Sequence, residues 1–215
     1  SYYDTINFKD AAAIMSKPKW HDEMRVIVEG AGGLSPKASE FWFLRHGETE
    51  HNKQRIVQTQ HGVTLNDTGR SQARDAAAVL AGESFVEIYA SDLERTWETA
   101  TIVNNVCKKP IHKVSQLWER NWGDMAGQSN VDLNWSSNPD NGETLSEFTL
   151  RTLGGFRDVL VNDKVLIVAH GGNYAVLLAA FGMTFTGSSA VKNAEPIKLV
   201  RDPDGPRGWA AVRLT

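Results

Sequence analysis

The sequence predicts an α/β protein, a three-layer α/β/α sandwich built around a mostly parallel central sheet. Three short apolar runs without clean alternation lie at Phe41–Leu44, Phe85–Ala90 and Val165–Ala169. Such runs are typical of strands that are covered on both faces. Stretches with helical spacing of apolar residues separate the runs. This alternation of strands and helices predicts helices packed on both sides of one sheet.

The remaining elements follow from local patterns. A capping-box pattern, in which Ser91 is followed three residues later by Glu94, predicts a helix start at Ser91. The polar, turn-rich segment Met125–Asn141 predicts a surface excursion, and Ile111–Val114 predicts a further short strand. Apolar residues recur three or four apart in three stretches, which predict the helices Asp67–Ala81, Ser91–Cys107 and Glu143–Val161.

A chain of 215 residues is long enough for one domain, since a domain takes about 150 residues on average. We expect residues 39–215 to form that domain and residues 1–38 to be an N-terminal extension packed on its core. Within the extension, Phe8–Met15 has a pattern typical of a helix, and Met24–Val28 has a pattern typical of a strand.

Composition excludes several classes of function. The 23 Lys and Arg residues against 26 Asp and Glu residues give a net charge of −3, which argues against nucleic acid or a polybasic membrane surface as a partner. A single cysteine, Cys107, excludes an intrachain disulfide and any multi-cysteine metal site. The sequence has no apolar run near the roughly 18–20 residues of a membrane span. With no signal-peptide pattern, we expect a cytoplasmic protein, and a homodimer remains open.

Ionisable residues follow the predicted core strands. Arg45 and His46 come directly after the first strand, Arg95 lies in the first turn of the helix after the second, and His170 and Gly171 follow the third. Ligands of open α/β sheets bind beyond the carboxyl ends of the strands. We therefore expect two arginines and two histidines to converge at one edge of the sheet.

This set of residues indicates a phosphate site with catalytic chemistry. An arginine beside the positive end of a helix is unfavourable unless an anion lies nearby, and a guanidinium can hold two phosphoryl oxygens. Gly171 would allow backbone N–H groups to approach that anion. A histidine can act as a nucleophile toward phosphorus. The leaving oxygen needs a proton donor, and Glu119, flanked by Trp118 and Trp122, is the best candidate.

Four motifs occur in order along the chain, and together they resemble the histidine phosphatase superfamily, which includes cofactor-dependent phosphoglycerate mutase. The resemblance covers about residues 40–183. The motifs are FLRHGET (Phe43–Thr49), SDLERTWETA (Ser91–Ala100), LWERNWG (Leu117–Gly123) and VLIVAHGGN (Val165–Asn173).

The resemblance implies a role for each site residue. His46 would become phosphorylated, Glu119 would donate the proton, and the phosphate pocket would be completed by Arg45, Arg95 and His170. It further implies that Asn52, Gln58 and the amide of Gly171 contact the substrate, and it implies neither a metal nor a cofactor. Arg120, the one extra cation beside the acid, is a further candidate for a substrate contact. The run after Gln58 departs from the usual family pattern.

We therefore expect a metal-independent phosphomonoesterase, a hydrolase of the histidine acid phosphatase type, that acts on a small phosphorylated substrate through a phosphohistidine. The alternatives are a phosphoglycerate mutase-type phosphotransferase, a non-catalytic module that binds a phosphorylated ligand, and a metal hydrolase. Hydrolysis is favoured over transfer because Met125–Asn141 contains no Lys or Arg. A mutase needs such cations to hold a second anionic group of its substrate.

Overall fold

A computed structural model describes residues 18–185 and 191–215. The described chain forms one six-stranded sheet with helices on both faces. The strands are β1 (Glu40–Arg45), β2 (Glu87–Ala90), β3 (Ile111–Lys113), β4 (Val165–Ala169), β5 (Pro196–Arg201) and β6 (Trp209–Arg213). The α-helices are α1 (Lys19–Gly30), α2 (Glu50–Gln54), α3 (Asp67–Leu80), α4 (Glu94–Cys107), α5 (Leu145–Val159) and α6 (Gly171–Ala180).

The strand order in the sheet is β3-β2-β4-β1-β5-β6. The first four strands in this order run parallel, while β5 is antiparallel to β1, and β6 is antiparallel to β5. The α/β class and the mostly parallel sheet predicted from the sequence are therefore confirmed. The two C-terminal antiparallel strands are an addition that the sequence analysis did not anticipate.

Alternate residues of β1 explain the three layers. Phe41 and Phe43 pack in one apolar cluster with residues of α1, α5 and α6. Trp42 and Leu44 point the other way, into a second cluster with residues of α3 and α4. All four side chains are fully buried, as the period of two along a strand requires when both faces of a sheet are covered.

The N-terminal segment differs from its prediction. Residues Met24–Val28 belong to helix α1 and not to a strand. His21, Met24 and Val28 are three and four residues apart, so they share one helix face, and that face is buried against α6 and α5. The pattern expected of a helix at Phe8–Met15 lies outside the described residues. The division into an extension, 1–38, and a domain, 39–215, stays a prediction.

Two predicted helix starts shift for identifiable reasons. Helix α4 begins at Glu94, three residues later than predicted, and Leu93 is its N-cap residue. The Ser91 hydroxyl lies 2.9 Å from Nε2 of His170, and its oxygen accepts a hydrogen bond from the amide of Leu93, the residue before the helix, at 3.5 Å. Helix α5 begins after Thr144, whose hydroxyl accepts a hydrogen bond from the Glu147 amide, and the Glu147 side chain accepts one from the Thr144 amide.

The segment Met125–Asn141 forms a mostly exposed, turn-rich excursion. An isolated β-bridge between Ile56 and Ser129 ties it to the loop after α2. Trp135 turns inward and packs on Phe148 of α5, with ring centroids 6.0 Å apart. In the described part of the chain, none of the helices has the length and apolar character needed to cross a bilayer.

Candidate active site

His46 lies at the carboxyl end of β1, where its backbone N–H donates to the carbonyl of Ala169 at the end of β4. The imidazole is buried, and its Nδ1 is 2.7 Å from the carbonyl oxygen of Gly47. Because a carbonyl can only accept, Nδ1 must carry the proton of this hydrogen bond. Nε2 of the neutral ring therefore keeps a free electron pair.

The charge state of His46 follows from its surroundings. Burial lowers the pKa of this imidazole well below its ordinary value of 6.5, and the guanidinium groups of Arg95 and Arg45 lower the pKa further. The ring is consequently neutral at neutral pH. A neutral imidazole with a fixed tautomer is the form that can attack an electrophile.

Gly47 is required by close packing of the loop that carries His46. A Cβ atom on Gly47 would collide with the backbone of Gly69 in α3. The Gly47 amide in turn donates to the hydroxyl of Thr99 at 3.0 Å. The glycine of the Arg-His-Gly motif thus lets the strand end lie against both α3 and α4.

Arg45 and Arg95 present guanidinium nitrogens to the space beside His46. Arg45 Nη1 donates to the carbonyl of Val191, and Arg95 Nη1 donates to the carbonyls of Thr59 and Gln60. The Nε atoms of both arginines are buried without a hydrogen-bond partner among the described residues. Burial lowers the pKa of Arg95 to about 10, so the group remains a cation. Two buried donors of this kind call for an anionic acceptor.

His170 faces His46 across the same space, with ring centroids 5.3 Å apart. Its Nε2 lies 2.9 Å from the hydroxyl of Ser91 and 3.1 Å from that of Thr96. Its Nδ1 is buried with no partner within the described chain. Burial, followed by the charge of Arg95, lowers the pKa of His170 well below 6.5. When the hydroxyls donate to Nε2, Nδ1 carries the proton and can donate to an anion.

Glu119 is held at the N-terminus of α6. One carboxylate oxygen accepts from the backbone N–H of Gly172 at 3.1 Å, and the other accepts from the N–H of Arg120 at 2.9 Å. A Cβ on Gly172 would collide with this carboxylate, so the second glycine of the His-Gly-Gly motif makes room for it. The carboxylate also lies within electrostatic reach of Arg45 and Arg95.

A partly buried ion pair supports the loop that carries Glu119. Arg151 of α5 binds Glu143 at 2.7 Å and donates to the carbonyls of Gln116, Trp118 and Glu119. Glu143 also accepts from the amide of Asn121. Through Arg151, helix α5 therefore holds the loop that carries Glu119 in place.

Asn52 and Gln58, two of the predicted substrate contacts, both form hydrogen bonds with Thr49 in the loop after His46. The Oδ1 atom of Asn52 accepts from the amide of Thr49 and from Asn193 and lies 3.1 Å from the Thr49 hydroxyl oxygen, so the Nδ2 group is the end left for a ligand. Gln58 accepts from the same Thr49 hydroxyl. Both side chains are thus anchored to the loop after His46.

Gly171, the remaining predicted contact, begins α6. A Cβ at this position would lie 3.6 Å from Nε of Arg45. The guanidinium therefore lies against the positive end of a helix, an arrangement that an anion would stabilise.

Arg120 does not join this group, and the substrate contact expected for it has to be corrected. Its side chain is fully buried, and its three nitrogens donate to the carbonyls of Glu143, Trp135 and Ser137. The guanidinium also lies 4.2 Å from the ring centroid of Trp122. With its donors directed at the backbone, Arg120 holds the excursion in place.

Several residues that support the site were not among those predicted from the sequence. Ser91 and Thr96 orient His170, Thr99 binds the Gly47 amide, and Asn193 donates to the carbonyl of His46. For the threonines a signal was present, since Thr96 and Thr99 share a helix with Arg95 at spacings that place them on its buried side. Ser91 was misinterpreted as a helix cap, and no sequence signal pointed to Asn193.

The site combines a neutral imidazole, a second histidine, two arginines with buried Nε atoms and a carboxyl group at the carboxyl ends of β1, β2 and β4. No cluster of three or more metal-ligating side chains occurs within residues 18–185 and 191–215. The fold and the site together define a protein of the phosphoryl-binding α/β class.

Comparison with known proteins places the chain within this class. Residues 41–210 match the sequence profile of the histidine phosphatase superfamily (branch 1), and the chain belongs to this superfamily. A relative from Bacillus subtilis (strain 168), named as the uncharacterized phosphatase PhoE, is 38% identical over 142 residues, which span 63% of this chain and 73% of the relative.

A second relative and a solved structure are also similar to this chain. An Arabidopsis thaliana protein named metal-independent phosphoserine phosphatase is 28% identical over 199 residues, which span 81% of this chain and 77% of the relative. The crystal structure of TTHB049 from Thermus thermophilus superposes with a TM-score of 0.65 at 26% identity and covers 82% of this chain and 99% of that one. The family and fold expected from the four motifs are therefore confirmed.

Proposed function

We propose that this protein is a metal-independent phosphomonoesterase that hydrolyses a small phosphorylated substrate through a phosphohistidine on His46. One observation carries the proposal. The imidazole of His46 is neutral, its tautomer is fixed by Gly47, and the neighbouring Arg45 and Arg95 have Nε donors with no partner among the described residues. Two of the relatives are named as phosphatases, which supports the proposal.

In the first step, Nε2 of His46 forms a bond to phosphorus while the bond from phosphorus to the leaving oxygen breaks. The leaving oxygen takes both the electron pair of that bond and a proton from Glu119. Arg45, Arg95 and His170 stabilise the charge that spreads over the other phosphoryl oxygens.

In the second step, water attacks the phosphorus of phospho-His46. Glu119, now a carboxylate, accepts a proton from this water. The bond between phosphorus and Nε2 breaks, its electron pair returns to the imidazole, and inorganic phosphate leaves. The enzyme is then back in its starting state.

Hydrolysis is favoured over return of the phosphoryl group to a second acceptor. A mutase substrate carries a second anionic group that needs a cation. Arg120 is bound to three carbonyl groups, and Met125–Asn141 contributes neither Lys nor Arg. These features support release of the phosphoryl group to water.

The test is phosphate release from p-nitrophenyl phosphate by the wild type and by His46→Ala, in the presence and absence of EDTA. We expect turnover that resists EDTA and disappears in His46→Ala. A pH profile in the same assay tests the acid phosphatase type. Tight phosphate binding without turnover at any pH would support a binding module instead, and activity lost in EDTA and restored by zinc or magnesium would support a metal hydrolase.

A second assay separates hydrolysis from transfer. The wild type is incubated with 3-phosphoglycerate and a trace of 2,3-bisphosphoglycerate, and both isomerisation and phosphate release are followed. We expect phosphate release to be the faster process wherever either is detected. Faster isomerisation would show a mutase.

A further inference from the structure

We propose that a row of three aromatic side chains, one of which reaches Glu119, binds an uncharged ring carried by the leaving group of the substrate. This aromatic wall consists of Trp135, Trp20 and Phe185. The inference rests on the proposed function, because it names the class of phosphate monoester that the site prefers.

Trp135 reaches the acid directly. A Cβ atom on Gly172 would meet both the Glu119 carboxyl group and Cη2 of Trp135, the latter at 2.9 Å. The tip of the indole and the carboxyl group therefore lie at the same edge of α6. Because the leaving oxygen must approach Glu119 to take its proton, the group attached to that oxygen must pass along Trp135.

The other two members extend this surface away from the acid. Trp20 stacks on Trp135 with ring centroids 4.9 Å apart and planes 23° apart, and Phe185 meets Trp20 at 5.1 Å. All three rings are partly exposed, so part of each remains available to a ligand. Trp20 belongs to α1, which precedes the region that matches the superfamily profile, 41–210. The wall is therefore completed by the N-terminal segment of this chain.

The wall is also held in one conformation. Arg120 donates to the carbonyls of Trp135 and Ser137 at 2.6 and 2.7 Å, and Trp122 packs edge-on against Trp135 with centroids 5.0 Å apart. A ring that is already fixed loses little conformational entropy when a ligand stacks on it. This arrangement suits recognition of a flat group.

The charges around the wall favour an uncharged ligand. Arg120 is bound to backbone carbonyls, and Arg151 is bound to Glu143 and three carbonyls. No Lys or Arg occurs in Met125–Asn141. Arg120, Arg151 and Met125–Asn141 therefore offer no free cation to a carboxylate on the leaving group, whereas a flat apolar face would pack well on indole rings.

The test compares benzyl phosphate with ethyl phosphate, both of which release a primary alcohol. We expect the wild type to have the higher kcat/KM for benzyl phosphate. Trp135→Leu and Trp20→Leu should each reduce this preference about threefold to tenfold, as expected for loss of one aromatic contact, while turnover of ethyl phosphate is retained. A parallel assay with glucose 6-phosphate shows whether the preferred ring is aromatic or a sugar.

Trp97→Leu is the matched control. Trp97 is also partly exposed, but it packs in the cluster on the opposite face of the sheet, beneath Lys113. The preference should survive this change. Thermal unfolding of each variant checks the fold, and Trp20→Met, which is also apolar and lacks a ring, replaces Trp20→Leu if the latter unfolds.

The outcomes separate the inference from the proposed function. Turnover of ethyl phosphate together with an unchanged ring preference in both wall variants would overturn the aromatic wall and leave the phosphatase proposal intact. Absence of turnover of either ester by folded wild type would instead overturn the phosphatase proposal. In that case, binding of benzylphosphonate to the wild type and to Trp135→Leu, measured by calorimetry, decides the inference, and equal affinities would contradict it.

Discussion

The carboxylate of Glu119 accepts a hydrogen bond from the backbone N–H of Gly172, 3.1 Å away, at the first turn of α6. This contact joins the proposed proton donor to the helix that starts directly after His170. It exists only because residue 172 has no side chain, since a Cβ would occupy the position of the carboxylate and touch Trp135. The His-Gly-Gly motif thus aligns the acid with the phosphate pocket.

Gly172→Ala should displace the acid. We expect kcat/KM to fall about 10²-fold, the lower end of what a general acid contributes, with a loss of stability of about 1–3 kcal/mol from overpacking. The matched control is Gly154→Ala in α5, where a Cβ would meet nothing within 4 Å. That change should leave activity intact and add about 0.5–1 kcal/mol of stability. Equal activity of the two variants would contradict the assignment of Glu119.

The hydroxyl of Thr96 should support activity by orienting the imidazole of His170. In Thr96→Val the imidazole loses one of its two partners, so its orientation is less fixed, and we expect a lower kcat with little change in KM. Thr149→Val is the control, because the Thr149 hydroxyl is also buried in a helix but has no partner in the described part of the chain. Kinetics on p-nitrophenyl phosphate compare the two. Loss of activity in Thr149→Val alone would refute the positioning role of Thr96.

Arg120→Lys tests whether this residue is structural. A lysine cannot bind three carbonyl groups in a fixed fork, and buried carbonyls that lose a partner cost about 1–3 kcal/mol each. We expect urea unfolding to show a loss of about 2–4 kcal/mol, with the KM for ethyl phosphate nearly unchanged. A raised KM at full stability would restore the substrate contact expected from the sequence.

Stability should fall as the pH drops below 6.5. The folded protein holds the pKa of both His46 and His170 well below that value, whereas in the unfolded chain they titrate near it. The unfolded state therefore binds more protons in this range, and the stabilisation, complete above pH 6.5, is progressively lost at lower pH.

Each histidine can contribute a slope of up to about 1.4 kcal/mol per pH unit. Urea unfolding at several pH values between about 5 and 7 measures this slope of the unfolding free energy against pH. His46→Gln should remove part of the slope, and an unchanged pH dependence in that variant would disprove the assignment.

The sequence predicted the parts of the fold that are determined locally. The parallel strands are continuous apolar runs, and the charged residues after β1 and β4 indicate where the site lies. Residues 24–28 were mistaken for a strand because the run MRVIV is β-prone, while its helical face is recognisable only through burial of His21, Met24 and Val28 against α6.

For the candidate site, the same distinction holds. Arg45, His46 and Arg95 could be predicted because they are ionisable residues that follow apolar strands or lie in the first turn of a helix. Arg120 looked equally suitable, because its carbonyl partners at Trp135 and Ser137 lie 15 and 17 residues away and only the folded excursion brings them near. Trp20 and Trp135 are likewise far apart in the sequence, and only the fold brings their rings into contact.

The most direct test of the account is rapid-quench labelling with a ³²P-labelled monoester. We predict an acid-labile, base-stable adduct that maps to His46, forms before phosphate is released and is absent from His46→Ala. Turnover at the full rate with no such adduct, or a label on another side chain, would show that hydrolysis does not proceed through phospho-His46.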